Sequence, residues 1–332
     1  MTNRDRVLSF VRNNPGHTPQ EISRELRIPS YAGPNAGRQV YNKLQQKVFS
    51  IWSDNIKYGV SPMKVSDIMI KDVITVDKST RLSHVLDLFE KYRISRVVVV
   101  DSKDKPIGIA TEKDIADKLG STRARDLPAS RLTISSVMAS PLVTVSPETD
   151  LLDAVEMMAS KNISSVVVVF GDTLLGIVTK TDVIRLFKDD NRTQVNRVLC
   201  KSIKTVNPDD RVIFARSILV KSDLDHLIVV RDSKPIGLVT DRDIAIGLAK
   251  IRSYDGWRHL DSMLDQFLVI NVMVQAPPTV NPTTPLGKAV EIMLNKHLKA
   301  LPVVDSEGIL MGSVSKTSIV EAVANGTLKL PS

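Results

Sequence analysis

The sequence predicts an α+β chain: four copies of a β-α-β-β-α unit, grouped in two pairs, behind a small, mainly α N-terminal domain. Three observations carry this. A Gly followed three residues later by Thr or Ser recurs at Gly108, Gly176, Gly237 and Gly312. A β-branched run precedes each copy: SRVVVVD, SSVVVVF, HLIVVRD and ALPVVDS. Basic residues crowd the first 60 positions, where nine Lys and Arg against four Asp and Glu account for +5 of the net +8. Internal repetition fixes architecture before any local reading does.

Residues 1–60 come first. Arg4–Asn13 reads as a helix with Val7, Leu8 and Val11 on one face. Thr18-Pro19-Gln20-Glu21 opens a second, with Thr18 as N-cap, Pro19 at the first helical position and Glu21 closing a capping box. After Gly33-Pro34, NAGRQVYNKLQQKVFS reads as a third, with Val40, Leu44 and Val48 in one stripe.

Each repeat then runs in the same order. A lead segment (DIMIKD, SVMASP, RVLCKS, NVMVQA) precedes a short strand around a Thr (VITVD, LVTVSP, IKTVNP, PPTVNP). A helix follows, as in LSHVLDLFEKYRI, whose apolar residues recur at three and four. The two later strands are near-continuous Val and Ile, the pattern of a sheet covered on both faces. One such unit cannot cover itself, so units pair: 64–190 and 195–325. Lys250–Leu268 lengthens the third unit and reads as an extra helix packing Trp257 and Phe267.

Composition excludes several classes. Apolar residues at 42% and charged residues at 25% are those of a globular chain, not a disordered one. The single Cys200 permits neither an internal disulfide nor a multi-cysteine zinc site, and it reads as a small buried residue. The longest apolar runs are strand-sized and too short for a membrane. No signal-peptide pattern opens the chain, so the expected compartment is the cytoplasm. No HExxH, GxSxG, GxxxxGK[ST] or GxGxxG occurs, and no enzyme activity or metal is expected.

The four units resemble CBS domains, the modules named after cystathionine β-synthase, over residues 64–325. The resemblance implies tandem pairs with two clefts per pair, clefts that typically take adenine nucleotides. It gives no choice among AMP, ADP, ATP, cyclic di-AMP and S-adenosylmethionine. The Gly motif extends to Thr-x-x-Asp as Thr111 with Asp114, Thr179 with Asp182, and Thr240 with Asp243. Each Thr ends a strand and opens a helix, where free N–H groups suit a phosphate. An ionised Asp one turn on accepts hydrogen bonds from ribose hydroxyls. The same spacing is that of a capping box, which holds a helix end without a ligand.

By position within CBS pairs, the Thr179–Asp182 cleft also uses Thr75 and Ser95, and the Thr111–Asp114 cleft uses Thr144 and Ser164. The Thr240–Asp243 cleft faces Thr279 and Lys299. The fourth reads Ser315-x-x-Ser318, lacks the carboxylate, and faces Thr205 and Asp225. The first pair is therefore expected to bind nucleotide, the second weakly or at one site. Arg96, Lys113, Lys180 and Arg242 are the cations placed to meet phosphates.

The N-terminal helices resemble a winged helix-turn-helix, which implies double-stranded DNA as partner. The third helix would then enter the major groove with Asn35, Arg38, Gln39, Asn42, Lys43 and Gln46 outward, while Lys47, Lys57, Arg24 and Arg27 meet phosphate. A homodimer through the CBS pairs would space two such heads about 34 Å apart. The reading is a nucleotide-responsive transcriptional regulator; the alternative is a nucleotide sensor whose head regulates a partner protein without DNA.

Overall fold

A computed structural model describes residues 62–120, 130–253 and 260–331. The winged-helix reading of residues 1–60, with Asn35, Arg38, Gln39, Asn42, Lys43, Gln46 and Lys47, lies outside them, as does Trp257.

In unit 1, Thr75–Asp77 pairs in parallel with Arg96–Val100, which pairs antiparallel with Pro106–Thr111. The helix Leu82–Tyr92 crosses between the first two strands, and Glu112–Leu119 follows the third. Leu82, Val85 and Phe89, spaced by three and four, are the buried positions of that first helix. Unit 2 repeats the order with strands Thr144–Val145, Ser165–Phe170 and Thr173–Thr179 and helices Leu151–Ser160 and Lys180–Arg185. Unit 3 has strands Thr205–Val206, His226–Arg231 and Lys234–Thr240 and helices Val212–Lys221 and Asp241–Ser253. Unit 4 has strands Ala300–Val304 and Leu310–Ser315 and helices Leu286–Asn295 and Lys316–Ala324; its first strand is reduced to a bridge from Val280 to Val303.

Pairing is reciprocal. The lead segment of unit 1 lies along the third strand of unit 2 (Ile70 to Ile177), and that of unit 2 along unit 1 (Ala139 to Ile109). Units 3 and 4 exchange in the same way, Cys200 with Ser313 and Val274 with Leu238. This contact explains the repeated glycine. A Cβ on Gly176 would lie 2.8 Å from the Ile70 carbonyl oxygen, so only hydrogen leaves room for the neighbour's backbone. The same strand pairing leaves Cys200 exposed, correcting the expectation that it is buried.

The units close into a ring of contacts. Val98 and Val100 meet Val167 and Ile177 between the sheets of units 1 and 2. The second helices of units 1 and 3 pack together, with Ile115, Leu119, Ile244 and Leu248 in one apolar core. The second helix of unit 4 packs on both helices of unit 2, joining Val155, Met158, Ile319 and Val323 in another. Ile228 and Leu238 of unit 3 join that second core. Each Val-rich strand is thus covered on both faces, as its composition requires.

Candidate functional site: four clefts around a charged centre

Each second helix starts where its third strand ends, so its cap residue is held by the sheet and its first turn points to the middle of the ring. Thr111, Thr179 and Thr240 each donate through N–H and Oγ1 to Oδ2 of the Asp three residues on. The N–H distances are 2.8, 2.9 and 2.8 Å. Both sequence readings of Thr-x-x-Asp are compatible with this geometry. One carboxylate oxygen closes the helix end. Among the described residues, Oδ1 of Asp114 and Asp243 accepts no hydrogen bond, and Oδ1 of Asp182 meets only Arg185, at 3.2 Å. Unit 4 closes its box with hydroxyls, Ser315 and Ser318 at 3.0 Å, and presents no carboxylate.

Two cavities hold the clefts. One, of about 970 Å³, is lined by Ser95, Thr179 and Asp182 and also by Thr240, Asp243 and Lys299. The other, of about 460 Å³, is lined by Thr111 and Ser164 and by Asp225, Ser315 and Ser318. Thr75, Thr144 and Thr279 are exposed on or beside their first strands and line neither, and Asp114 is also outside both walls. The larger cavity's wall at unit 1 is Asp72–Ile74 instead.

The residue just after each cap lies at the centre: Glu112, Lys180, Asp241 and Lys316. Lys180 Nζ donates to Thr317 Oγ1 and Lys316 Nζ to Thr181 Oγ1, both at 3.0 Å, a reciprocal pair across units 2 and 4. Across units 1 and 3 the same positions are acids. Arg242 reaches Glu112 at 3.4 Å, and Lys299 sits 3.3 Å from Glu112 and 3.6 Å from Asp241. Burial pushes the Asp241 carboxyl up to about 6, and Lys299 opposes it. Burial lowers Lys299, but Glu112, Asp241 and Asp225 outweigh it and hold the ammonium charged.

Of the four cations expected to meet phosphate, two are engaged by acids: Lys113 by Asp223, and Arg242 by Glu112. Arg96 donates to the Ser164 carbonyl at 2.6 Å and to Ser95 Oγ at 2.7 Å, touching both clefts of the first pair. Burial lowers Arg96 and Lys180, and burial with Arg96 and Lys299 nearby brings Lys316 down to about 8. No carboxylate among the described residues pairs directly with Arg96, Lys180 or Lys316. Their counter-charges act without direct contact: Glu112 and Asp182 on Arg96, Asp225 and Glu321 on Lys180, and Asp225 and Glu112 on Lys316.

The fourth cleft carries an acid on its partner side. Asp225 accepts from Thr317 Oγ1 at 2.9 Å and pairs with His226 Nδ1 at 2.7 Å. Burial raises that carboxyl, but the His226 contact and the charges of Lys299 and Lys180 hold it well below the usual carboxylate range. A fixed negative charge therefore stands on the partner side of the cleft that lacks its own Asp. Glu112, Asp241, Lys316, Thr181, Thr317 and His226 were missed by the sequence reading. The signal was an acid–Lys–acid–Lys series directly after the four cap residues.

A family model described as CBS domain matches four times, over residues 65–121, 134–189, 195–250 and 269–325. The chain belongs to the CBS domain family. Its four CBS units form two tandem pairs. The uncharacterized protein MJ1404 of Methanocaldococcus jannaschii is 33% identical over 135 residues, which is 38% of this chain but 32% of that protein. Protein MJ1225 of the same organism is 22% identical over 272 residues, 76% of this chain and 96% of its own. The crystal structure of MJ1225, proposed as an archaeal homologue of γ-AMPK, matches with a TM-score of 0.70 at 23% identity, over 79% of this chain and 100% of that one. An uncharacterized conserved protein of Pyrococcus horikoshii matches at 0.54 and 18% identity, over 79% and 100%. These structures share the fold of the four-CBS body. No helix among the described residues is long and apolar enough to cross a membrane.

Proposed function

We propose that the chain is an adenine-nucleotide-sensing regulator with no catalytic role of its own. One observation carries this: the carboxylates of Asp182 and Asp243, each with a second oxygen beyond its capping box, line a centre whose Lys180 and Lys316 touch hydroxyls and, among the described residues, no carboxylate directly. A nucleotide supplies what each part lacks, ribose hydroxyls for the acids and phosphate for the cations. Asp182 with Thr179 and Ser95 forms the principal cleft, and Asp243 with Thr240 the second. Thr111 with Ser164 forms the third, and Asp114 closes the Thr111 cap from outside the cavity wall. The fourth, with Asp225 in place, repels phosphate. The cationic centre favours phosphate-bearing ligands over the sulfonium of S-adenosylmethionine.

In this reading residues 1–60 bind double-stranded DNA, and CBS pairs of two chains join in a homodimer in the cytoplasm. Nucleotide binds one arrangement of the heads better than another, which is what shifts DNA affinity. The second reading is a partner protein in place of DNA.

The test is thermal stability against AMP, ADP, ATP, cyclic di-AMP and S-adenosylmethionine, for wild type, Asp182→Ala and Asp114→Ala. A ligand at 100 times its Kd adds about 2.7 kcal/mol. The expected result is a shift with a phosphate-bearing ligand that Asp182→Ala removes. No shift with any of the five overturns the sensor reading. For the head, Arg38→Ala with Lys43→Ala is expected to weaken DNA binding and flatten its salt slope; unchanged retention favours the partner protein.

A further inference from the structure

The four units are copies of one fold, so a surface position that is polar in three copies and apolar in one answers to something other than the fold. The first helices start after Arg81, Asp150, Arg211 and Pro285. Their third residues are His84, Asp153, Phe214 and Lys288, and their sixth residues Asp87, Glu156, Ser217 and Glu291. Unit 3 thus carries an aromatic ring, 50% exposed, at the first position and no charge at the second. The lead segments show the same departure at the same corner. Ser66, Ser135, Asn196 and Ile270 each donate a backbone N–H to the carbonyl four residues ahead of a first helix, Ile270 to that of Pro208 at 2.9 Å. Ile270, 37% exposed, therefore stands where the other leads have a polar side chain, beside the start of the unit 3 helix. Val220, 41% exposed, extends the apolar face toward the other end of that helix. Contiguous exposed apolar surface of this kind marks an interaction site.

We propose that this corner, the outer face of Val212–Lys221 with Ile270, is the contact surface for a second copy of the chain. The helix is self-complementary about Ser217. Phe214 lies three residues before it and Val220 three after, a spacing that keeps all three on one face. A two-fold axis through Ser217 sets Phe214 against Val220 of the partner subunit and Val220 against the partner's Phe214, as a closed dimer requires. Ser217 suits the axis. Its side chain is small, and its Oγ already donates to the Phe214 carbonyl at 2.8 Å, so it can be buried without losing a partner. Charge fits the antiparallel direction. Asp209 and Asp265 are exposed at the N-terminal end of the helix, with Arg211 held by Asp265 at 3.0 Å, and Lys221 is exposed at the C-terminal end. Antiparallel packing brings each Lys221 to the acidic end of the other copy. The proposal rests on the homodimer reading above and gives that dimer a surface. One helix pair with a flanking Ile buries less than the roughly 1,200–2,000 Å² of a stable interface, so the dimer is weak.

The experiment is sedimentation equilibrium of the full chain from about 1 to about 100 μM, the range of a weak dimer. The expected result is a reversible dimer whose Kd rises at least about tenfold with Phe214→Asp and again with Ile270→Ser. Both substitutions install what sister units carry at the same place, Asp153 and Ser135, so the fold tolerates them, and an unchanged circular dichroism spectrum checks this. Lys221→Glu weakens the dimer, and adding Asp265→Lys restores it. In a Cys200→Ser background, Ser217→Cys is expected to join two copies by a disulfide on mild oxidation. Asp87→Cys, at the matched position of unit 1, is not. A dimer that Phe214→Asp leaves within about twofold of wild type overturns this surface while the homodimer stands. Equal cross-linking of Ser217→Cys and Asp87→Cys does the same. A chain that stays monomeric at about 100 μM overturns both, and leaves the corner to a different protein.

Discussion

Lys299→Met is the sharpest probe of the charged centre. The ammonium lies 3.3 Å from Glu112 and 3.6 Å from Asp241, whose side chains are 3% and 6% exposed. At an effective dielectric of about 20, Coulomb's law gives roughly 5 kcal/mol for each contact. Desolvation of the ammonium opposes this, and breaking a buried pair typically costs about 3–5 kcal/mol net. Arg242 remains beside Glu112, so the larger loss falls on Asp241. That carboxyl already sits at about 6 against 3.8, and loss of Lys299 moves it further up. An acid whose pKa is raised on folding is tolerated while protonated, and it costs stability as pH rises through the folded value. The Lys299→Met deficit is therefore largest near pH 8 and shrinks toward pH 5. Urea unfolding of both proteins at the two pH values measures it. A loss below about 1 kcal/mol at pH 8, or an equal loss at pH 5, would refute the reasoning.

Other substitutions test separate parts. Gly176→Ala forces its new methyl against the Ile70 carbonyl and is expected to cost about 1–3 kcal/mol by overpacking, read as a lower Tm. Asp182→Ala removes the acceptor for Thr179 and should lower the ligand-free stability by about 1 kcal/mol, separately from its effect on nucleotide. Phe187→Ala, at a 2% exposed core position, is expected to cost about 3–5 kcal/mol in denaturant unfolding. Lys316 loses its charge as pH rises through about 8, so affinity for a phosphate ligand should fall between pH 7 and 9, and Lys316→Met should abolish that slope.

The repeat was legible because its signals are local. Gly108, Gly176, Gly237 and Gly312 mark one position in four strands, and Leu82, Val85 and Phe89 mark one helix face. The cap residues could be named for the same reason, since Thr and Asp three apart meet within one turn. The ring was not legible. Lys180 meets Thr317 and Lys316 meets Thr181 across about 135 residues of chain, and no periodicity carries that pairing. Glu112 and Asp241 look like ordinary acids in a first helical turn, favourable there through the helix dipole. Only the packing of the second helices shows that both are buried against one lysine. Cys200 was misread because its lead segment pairs through backbone and leaves the side chain outside.

The exchanged lead segments also define what can be inherited. Val65 bonds Thr149 and Leu82 bonds Leu132, so the start of each lead in the first pair is tied to the start of the other unit's first helix; Val195 with Thr284 and Val212 with Phe267 repeat this in the second. A gene duplication that copied one unit would deliver a sheet with an open edge and a glycine facing nothing. A duplication that copied two would deliver a closed piece. The hydrogen bonds thus make the pair, not the single unit, the smallest piece with its sheet edges closed.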